Sequence, residues 1–79
     1  MLRAILSGSA NVSFGDFVHL VEGYGFQLKR VRGSHHIFER ADIPQLLNLQ
    51  SDAGQAKRYQ ITQFLKLVER YNLNLEDDA

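Results

Sequence analysis

The amino-acid sequence predicts an α+β domain: a three-stranded antiparallel sheet with two amphipathic helices packed on one face, in the order helix-strand-strand-strand-helix. Three observations carry this reading. Apolar residues recur with helical period at Phe14, Phe17, Val18, Val21 and Tyr24, and again at Tyr59, Ile61, Phe64, Leu65, Val68 and Tyr71. Between these stretches lie short alternating runs separated by turn residues, the pattern of strands joined by tight connections. A chain of 79 residues has room for one domain, whose core is a single layer of helix on sheet.

Taken in order, Leu2–Leu6 has the composition of a short additional helical turn, closed by Ser7-Gly8-Ser9. The first main helix is predicted from Ser13 to about Tyr24. Ser13 can cap it, Asp16 follows three residues later, and Val12 and Phe17 have the spacing of a hydrophobic staple. Gly23 and Gly25 stop it. The first strand runs from Phe26 to Val31, with Gly33-Ser34 as the turn, and the second occupies His35–Arg40. Ala41-Asp42-Ile43-Pro44 is read as a break, because proline interrupts a ladder. Leu46–Gln50 is the third strand, with Leu47 and Leu49 on one face and Asn48 and Gln50 on the other. Ser51–Gly54 is read as a loop. The last helix begins between Ala56 and Tyr59 and ends at Asn72 or Asn74, so the domain core spans about residues 13–73. The acidic residues that follow are expected to fray.

Nine basic and nine acidic side chains cancel, and an apolar content of 44% is that of a soluble globular chain. The charge is unevenly placed. Lys29, Arg30, Arg32 and Arg40 bracket two adjacent histidines with only Glu39 opposing them, while Glu76, Asp77 and Asp78 gather near the end. Absence of cysteine excludes disulfides, thiolate zinc sites and a thiol nucleophile. With neither a signal-like run nor a stretch able to span a bilayer, a cytoplasmic protein without membrane contact is expected.

The segment Arg30–Arg40, RVRGSHHIFER, holds the candidate chemistry. Successive strand side chains leave opposite faces, so His35 and His36 diverge and cannot converge on one metal ion; His19 reads as a helix-surface residue. No metal or other cofactor is expected. One imidazole faces the helix-covered side or its rim, and the other faces the open side; the register is left open by the apolar Ile37 and Phe38. A histidine can exchange a proton with a substrate hydroxyl near neutrality, and the neighbouring cations can hold a phosphate. These parts suit metal-free transesterification of RNA. A solvated strand edge with two polar histidines explains the same residues equally well. Lys57 and Arg58, just before the last helix, form a second place for a phosphate, and with the basic hairpin they can follow one nucleic-acid backbone.

The string Gly33-Ser34-His35-His36-Ile37-Phe38, after a helix that ends in Gly25-Phe26 and a basic strand, resembles the HicA toxins. The likeness covers roughly Phe14 to Leu73. It implies a fold like a double-stranded RNA-binding domain (dsRBD-like), a metal-independent endoribonuclease acting on mRNA as the toxin of a type II toxin–antitoxin system, and a HicB-like antitoxin as partner. The family's essential histidine closes a G-[ST]-x-H motif, which falls on His36; His35 takes second place as catalyst. The expected RNA contacts are Lys29, Arg30, Arg32, Ser34, Arg40, Lys57 and Arg58. Many members carry Pro-x-His at the third strand and Lys-Pro-Gly-Thr before the last helix. The corresponding segment here is LNLQSDAGQAKRYQI, with Gln50 near the place of the extra histidine and Lys57 as counterpart of the lysine. Two alternatives stand beside the toxin: a non-catalytic module binding RNA or protein, and a homodimer built on the open sheet face. Oligomeric state is not readable from the sequence.

Overall fold

The computed structural model describes residues 12–75. Its elements are α1 (Phe14–Gly23), β1 (Gln27–Arg32), β2 (His35–Arg40), β3 (Ile43–Asp52), β4 (Gln55–Ala56) and α2 (Arg58–Arg70). The short helix expected at Leu2–Leu6 and all but Leu75 of the acidic tail expected at residues 75–79 lie outside the described residues. Among the described residues, no helix is long and apolar enough to cross a membrane.

The α+β class and the antiparallel sheet agree with expectation, but the sheet has four strands, in the order β1-β2-β3-β4, rather than three. The segment read as a loop is a tight hairpin. Ser51 pairs with Ala56 and Asp52 with Gln55, across a turn in which Ala53 and Gly54 have φ of 53° and 81°. Two consecutive positive φ values match the primed turns whose twist suits a hairpin. A strand of two residues has no alternation to read, and an alanine is no turn signal.

The second correction concerns β3, which starts at Ile43 and so contains Pro44. Arg40 pairs with Ile43, yet Phe38 pairs with Leu47, so Glu39 alone opposes Pro44, Gln45 and Leu46. The proline sits in this bulge, where the ladder asks nothing of its missing N–H.

Both helix ends follow one rule. Ser13 Oγ accepts the Asp16 N–H at 3.1 Å, and Val12 and Phe17 are both buried as a staple requires. At the other end Gly25, with φ of 90°, donates its N–H to Glu22 O while Phe26 donates to Val21 O, a Schellman closure. In α2 the same closure uses Asn72, φ 52°, with Leu73 donating to Val68 O at 2.9 Å. Of the two asparagines proposed as terminators, Asn72 is the one. The start of α2 was unmarked in sequence because its cap, Lys57, makes no side-chain capping bond.

The core lies between the helices and one sheet face. Phe17, Leu20, Val21 and Tyr24 of α1 and its C-cap meet Ile61 and Phe64 of α2 over Phe38, Ile43 and Leu49 of the sheet. Phe64 is the hub, with Phe17, Tyr24 and Phe26 edge-on to its ring at centroid distances of 5.8, 5.6 and 5.9 Å. Tyr59, expected on the buried stripe of α2, is instead 56% exposed, and Gln60 beside it is buried at 6%.

Candidate active site

Strand pairing settles the two histidines. His36 pairs with Leu49, a core residue, and shares its face with the buried Phe38, so its imidazole points toward the helices. It stops at the rim, half-buried, with its ring 4.9 Å from that of Phe14 at the start of α1 and inclined by 58°. His35 leaves by the opposite, uncovered face and is exposed. There its Nδ1 lies 3.0 Å from Asn48 Oδ1. The adjacent histidines therefore belong to different faces and cannot act on one substrate atom.

Each imidazole is oriented through Nδ1. Ser34 O lies 3.3 Å from His36 Nδ1, at the long end for such a bond, and a carbonyl can only accept. The proton of the neutral ring then sits on Nδ1, leaving the Nε2 lone pair available.

A chain of polar side chains from three elements reaches the same β1–β2 turn, and the pairing of Gln50 with His35 puts its middle member on the His35 face of the sheet. Lys57 Nζ donates to Gln50 Oε1 at 3.2 Å, and Gln50 Nε2 donates to Ser34 Oγ at 3.3 Å. Lys57 belongs to the start of α2, Gln50 to β3 and Ser34 to the β1–β2 turn. The small β3–β4 hairpin brings these starts together. Phe14 N donates to Gly54 O and Ala56 N to Val12 O, each at 2.9 Å, which ties the beginning of α1 to the hairpin that leads into α2.

Gln60 completes this frame and was not singled out in sequence. Its Oε1 accepts the Gln50 N–H at 3.0 Å and its Nε2 donates to Asn48 O at 2.9 Å. One side-chain amide thus pairs two backbone groups on the β3 edge just where β4 stops, as a further strand residue would. The signal available was a glutamine at the helical spacing of a core position, four residues before Phe64.

The cations are divided by the fold. Lys57 is bonded to Gln50, and Arg58 is exposed in the first turn of α2. Arg30 pairs with Ile37 and Arg32 with His35, which puts both arginines on the uncovered face. Lys29 occupies a bulge of β1 and lies 3.7 Å from Glu39. Arg40 is at the far end of β2, where Nη1 donates to Tyr24 O at 2.7 Å and Nε faces Asp42 at 2.8 Å. It holds the end of α1 and is about 17 Å along the strand from His35. His19 is exposed on α1, and among the described residues no three His, Cys, Asp or Glu side chains converge on a point.

A half-buried imidazole held through Nδ1 can move a proton, and an ammonium group linked to the same turn can counter the charge of a phosphate. Comparisons with curated proteins and with solved structures find no significant match. A family model described as "HicA toxin of bacterial toxin-antitoxin" matches residues 14–69, from the first residue of α1 almost to the last of α2. The chain belongs to the HicA toxin family.

Proposed function

We propose that this chain is an endoribonuclease that cleaves mRNA in the cytoplasm without a metal ion, and that His36 is its acid/base residue. The observation that carries this reading is the rim position of His36, with Nδ1 held at Ser34 O and Lys57 linked to the same turn through Gln50. Nε2 takes the proton of a ribose 2′-hydroxyl, whose oxygen attacks the adjacent phosphorus. The bond from phosphorus to the 5′-oxygen breaks, and that oxygen takes a proton from the imidazolium or from water. Lys57 and the Ser34 hydroxyl stabilise the added negative charge on the phosphoryl oxygens. The products are a 2′,3′-cyclic phosphate and a 5′-hydroxyl. A basic helix start beside a polar turn on a dsRBD-like element order supports RNA as the ligand. HicA toxins pair with HicB antitoxins, and a HicB-like protein is the proposed partner here.

Incubation of purified protein with an mRNA transcript in excess chelator tests this reading. His36→Ala should lower cleavage by about 100-fold or more, while His35→Ala, on the other sheet face, should retain it. Undiminished cleavage by His36→Ala would overturn the assignment.

A second reading, a module that binds RNA or protein without cutting, is favoured by one observation. Arg30 and Arg32 lie on the face opposite His36. Salt-dependent RNA binding with no cleavage product would select it.

A further inference from the structure

We propose that Phe14 is the positioning residue of His36, its phenyl ring setting the tilt of the imidazole so that Nδ1 stays at Ser34 O and Nε2 keeps its lone pair. This rests on the reading of His36 as the acid/base residue and adds to it the group that holds the ring in its working orientation.

A histidine side chain turns about two bonds, and the torsion next to the flat ring has broad, shallow minima. The Ser34 carbonyl, 3.3 Å from Nδ1, is one restraint on that torsion and a long one. Across the sheet His36 pairs with Leu49 and Val31, aliphatic side chains that offer it no hydrogen bond. Phe14 supplies the second restraint. Its ring centroid lies 4.9 Å from that of the imidazole, with the planes inclined by 58°. This is close to the short end for aromatic pairs, in one of the tilted arrangements they prefer. Turning the imidazole off Ser34 O changes that inclination, so carbonyl and phenyl ring support the same orientation.

Phe14 is itself held. It is the first residue of α1, directly after the Ser13 cap, and it is half-buried against the core. Its N–H donates to Gly54 O at 2.9 Å, and Ser13 forms a bridge with Gln55 of the same hairpin. The phenyl ring is thus anchored through its backbone by the β3–β4 hairpin and through its side chain by packing. A base whose lone pair is already oriented needs no reordering on the way to the transition state, which is where orientation acts on rate.

Two variants and two measurements test this. Phe14→Tyr keeps the aromatic ring; Phe14→Leu keeps an apolar side chain against the core and removes the ring. Nitrogen-15 NMR of the neutral His36 imidazole reads which nitrogen carries the proton. The Nδ1–H form is expected to predominate in the parent protein and in Phe14→Tyr, and to give way to a mixture with the Nε2–H form in Phe14→Leu. Cleavage kinetics read the consequence: kcat about fivefold lower in Phe14→Leu with KM little changed, and recovery in Phe14→Tyr to within about twofold of the parent. A role in packing alone would lower the melting temperature of Phe14→Leu and leave the tautomer and kcat of the folded protein unchanged. The proposal is overturned if Phe14→Leu keeps the parental tautomer or the parental kcat, or if Phe14→Tyr restores neither. The parent protein tests it without any variant: a nuclear Overhauser contact between the Phe14 and His36 ring protons is expected, and its absence overturns the proposal. If the tautomer responds as described but no protein cuts RNA, the positioning stands and the ribonuclease reading falls.

Discussion

At the scale of the residue, the fold gives similar side chains unlike tasks. Arg40 and Arg32 look alike in sequence, yet Arg40 spends its guanidinium on Tyr24 O and Asp42. The bond to the carbonyl carries most of that effect, because Asp42 is largely in water and exposed ion pairs add little. Arg40→Met should therefore lower stability by about 1.5–3 kcal/mol and leave the salt dependence of RNA binding unchanged. A urea titration and binding at two salt concentrations check the two halves; a weakened salt slope would return Arg40 to the RNA interface. The histidines diverge for a simpler reason, the two-residue period of a strand, which was legible from the letters HH inside a strand pattern. Which of them faced the helices was not legible, because the residues that follow, Ile37 and Phe38, are equally apolar. Pairing of His36 with Leu49 decides it.

At the scale of the element, the β3–β4 hairpin is the least visible feature in sequence and the one that assembles the candidate site. It carries Gly54 O to Phe14 N and leads directly into Lys57. Its turn places Ala53 at φ 53°, where an L-residue with a Cβ is strained. Ala53→Gly should raise stability by roughly 0.5–1 kcal/mol, the relief of strain exceeding the added freedom of the unfolded chain. A shift of the urea midpoint to lower concentration would contradict the positive φ. Gln60, on α2, clamps the β3 edge beside this hairpin. Gln60→Met should cost about 1–3 kcal/mol, because the Gln50 N–H and Asn48 C=O lose their partner in a half-covered place. Thermal unfolding reads that cost, and hydrogen exchange at the Gln50 amide localises it. The capped α1 was legible almost to the residue because Ser13, Asp16, Val12 and Gly25 act locally. The start of α2 was not, since Lys57 is held in place by tertiary contacts.

At the scale of the molecule, one aromatic hub joins the layers. Phe64 is fully buried and meets Phe17, Tyr24 and Phe26 edge-on. A chain of this length has about 4–12 kcal/mol of stability in total. Removing such a ring costs about 3–5 kcal/mol. Phe64→Ala should therefore leave a large unfolded fraction at 37 °C, visible as lost near-ultraviolet circular dichroism. A cooperative transition at the parental temperature would show that the core is not organised around this ring. The sheet, by contrast, is covered on one face only, and its edge strand β1 is exposed throughout, with Leu28 at 47% and Val31 at 50%. The two helices reach β2 and β3 and stop short of β1, so residues paired with core positions of β2 still face water.

The sequence by itself determined the α+β class, the two helices, the first hairpin and the separation of His35 from His36. Each of these follows from spacing along the chain: 3.6 residues for a helix, two for a strand, a cap or a glycine at a fixed offset. Tertiary structure decided the fourth strand, the inclusion of Pro44 in β3, the burial of Gln60, and the split of the cations between two faces and the far strand end. It also decided that Lys57, Gln50 and Ser34 meet at the β1–β2 turn. Those outcomes depend on which strand edge a side chain finds across the fold, and residues 34, 50 and 57 become neighbours only when the hairpin and both helices have closed on one core.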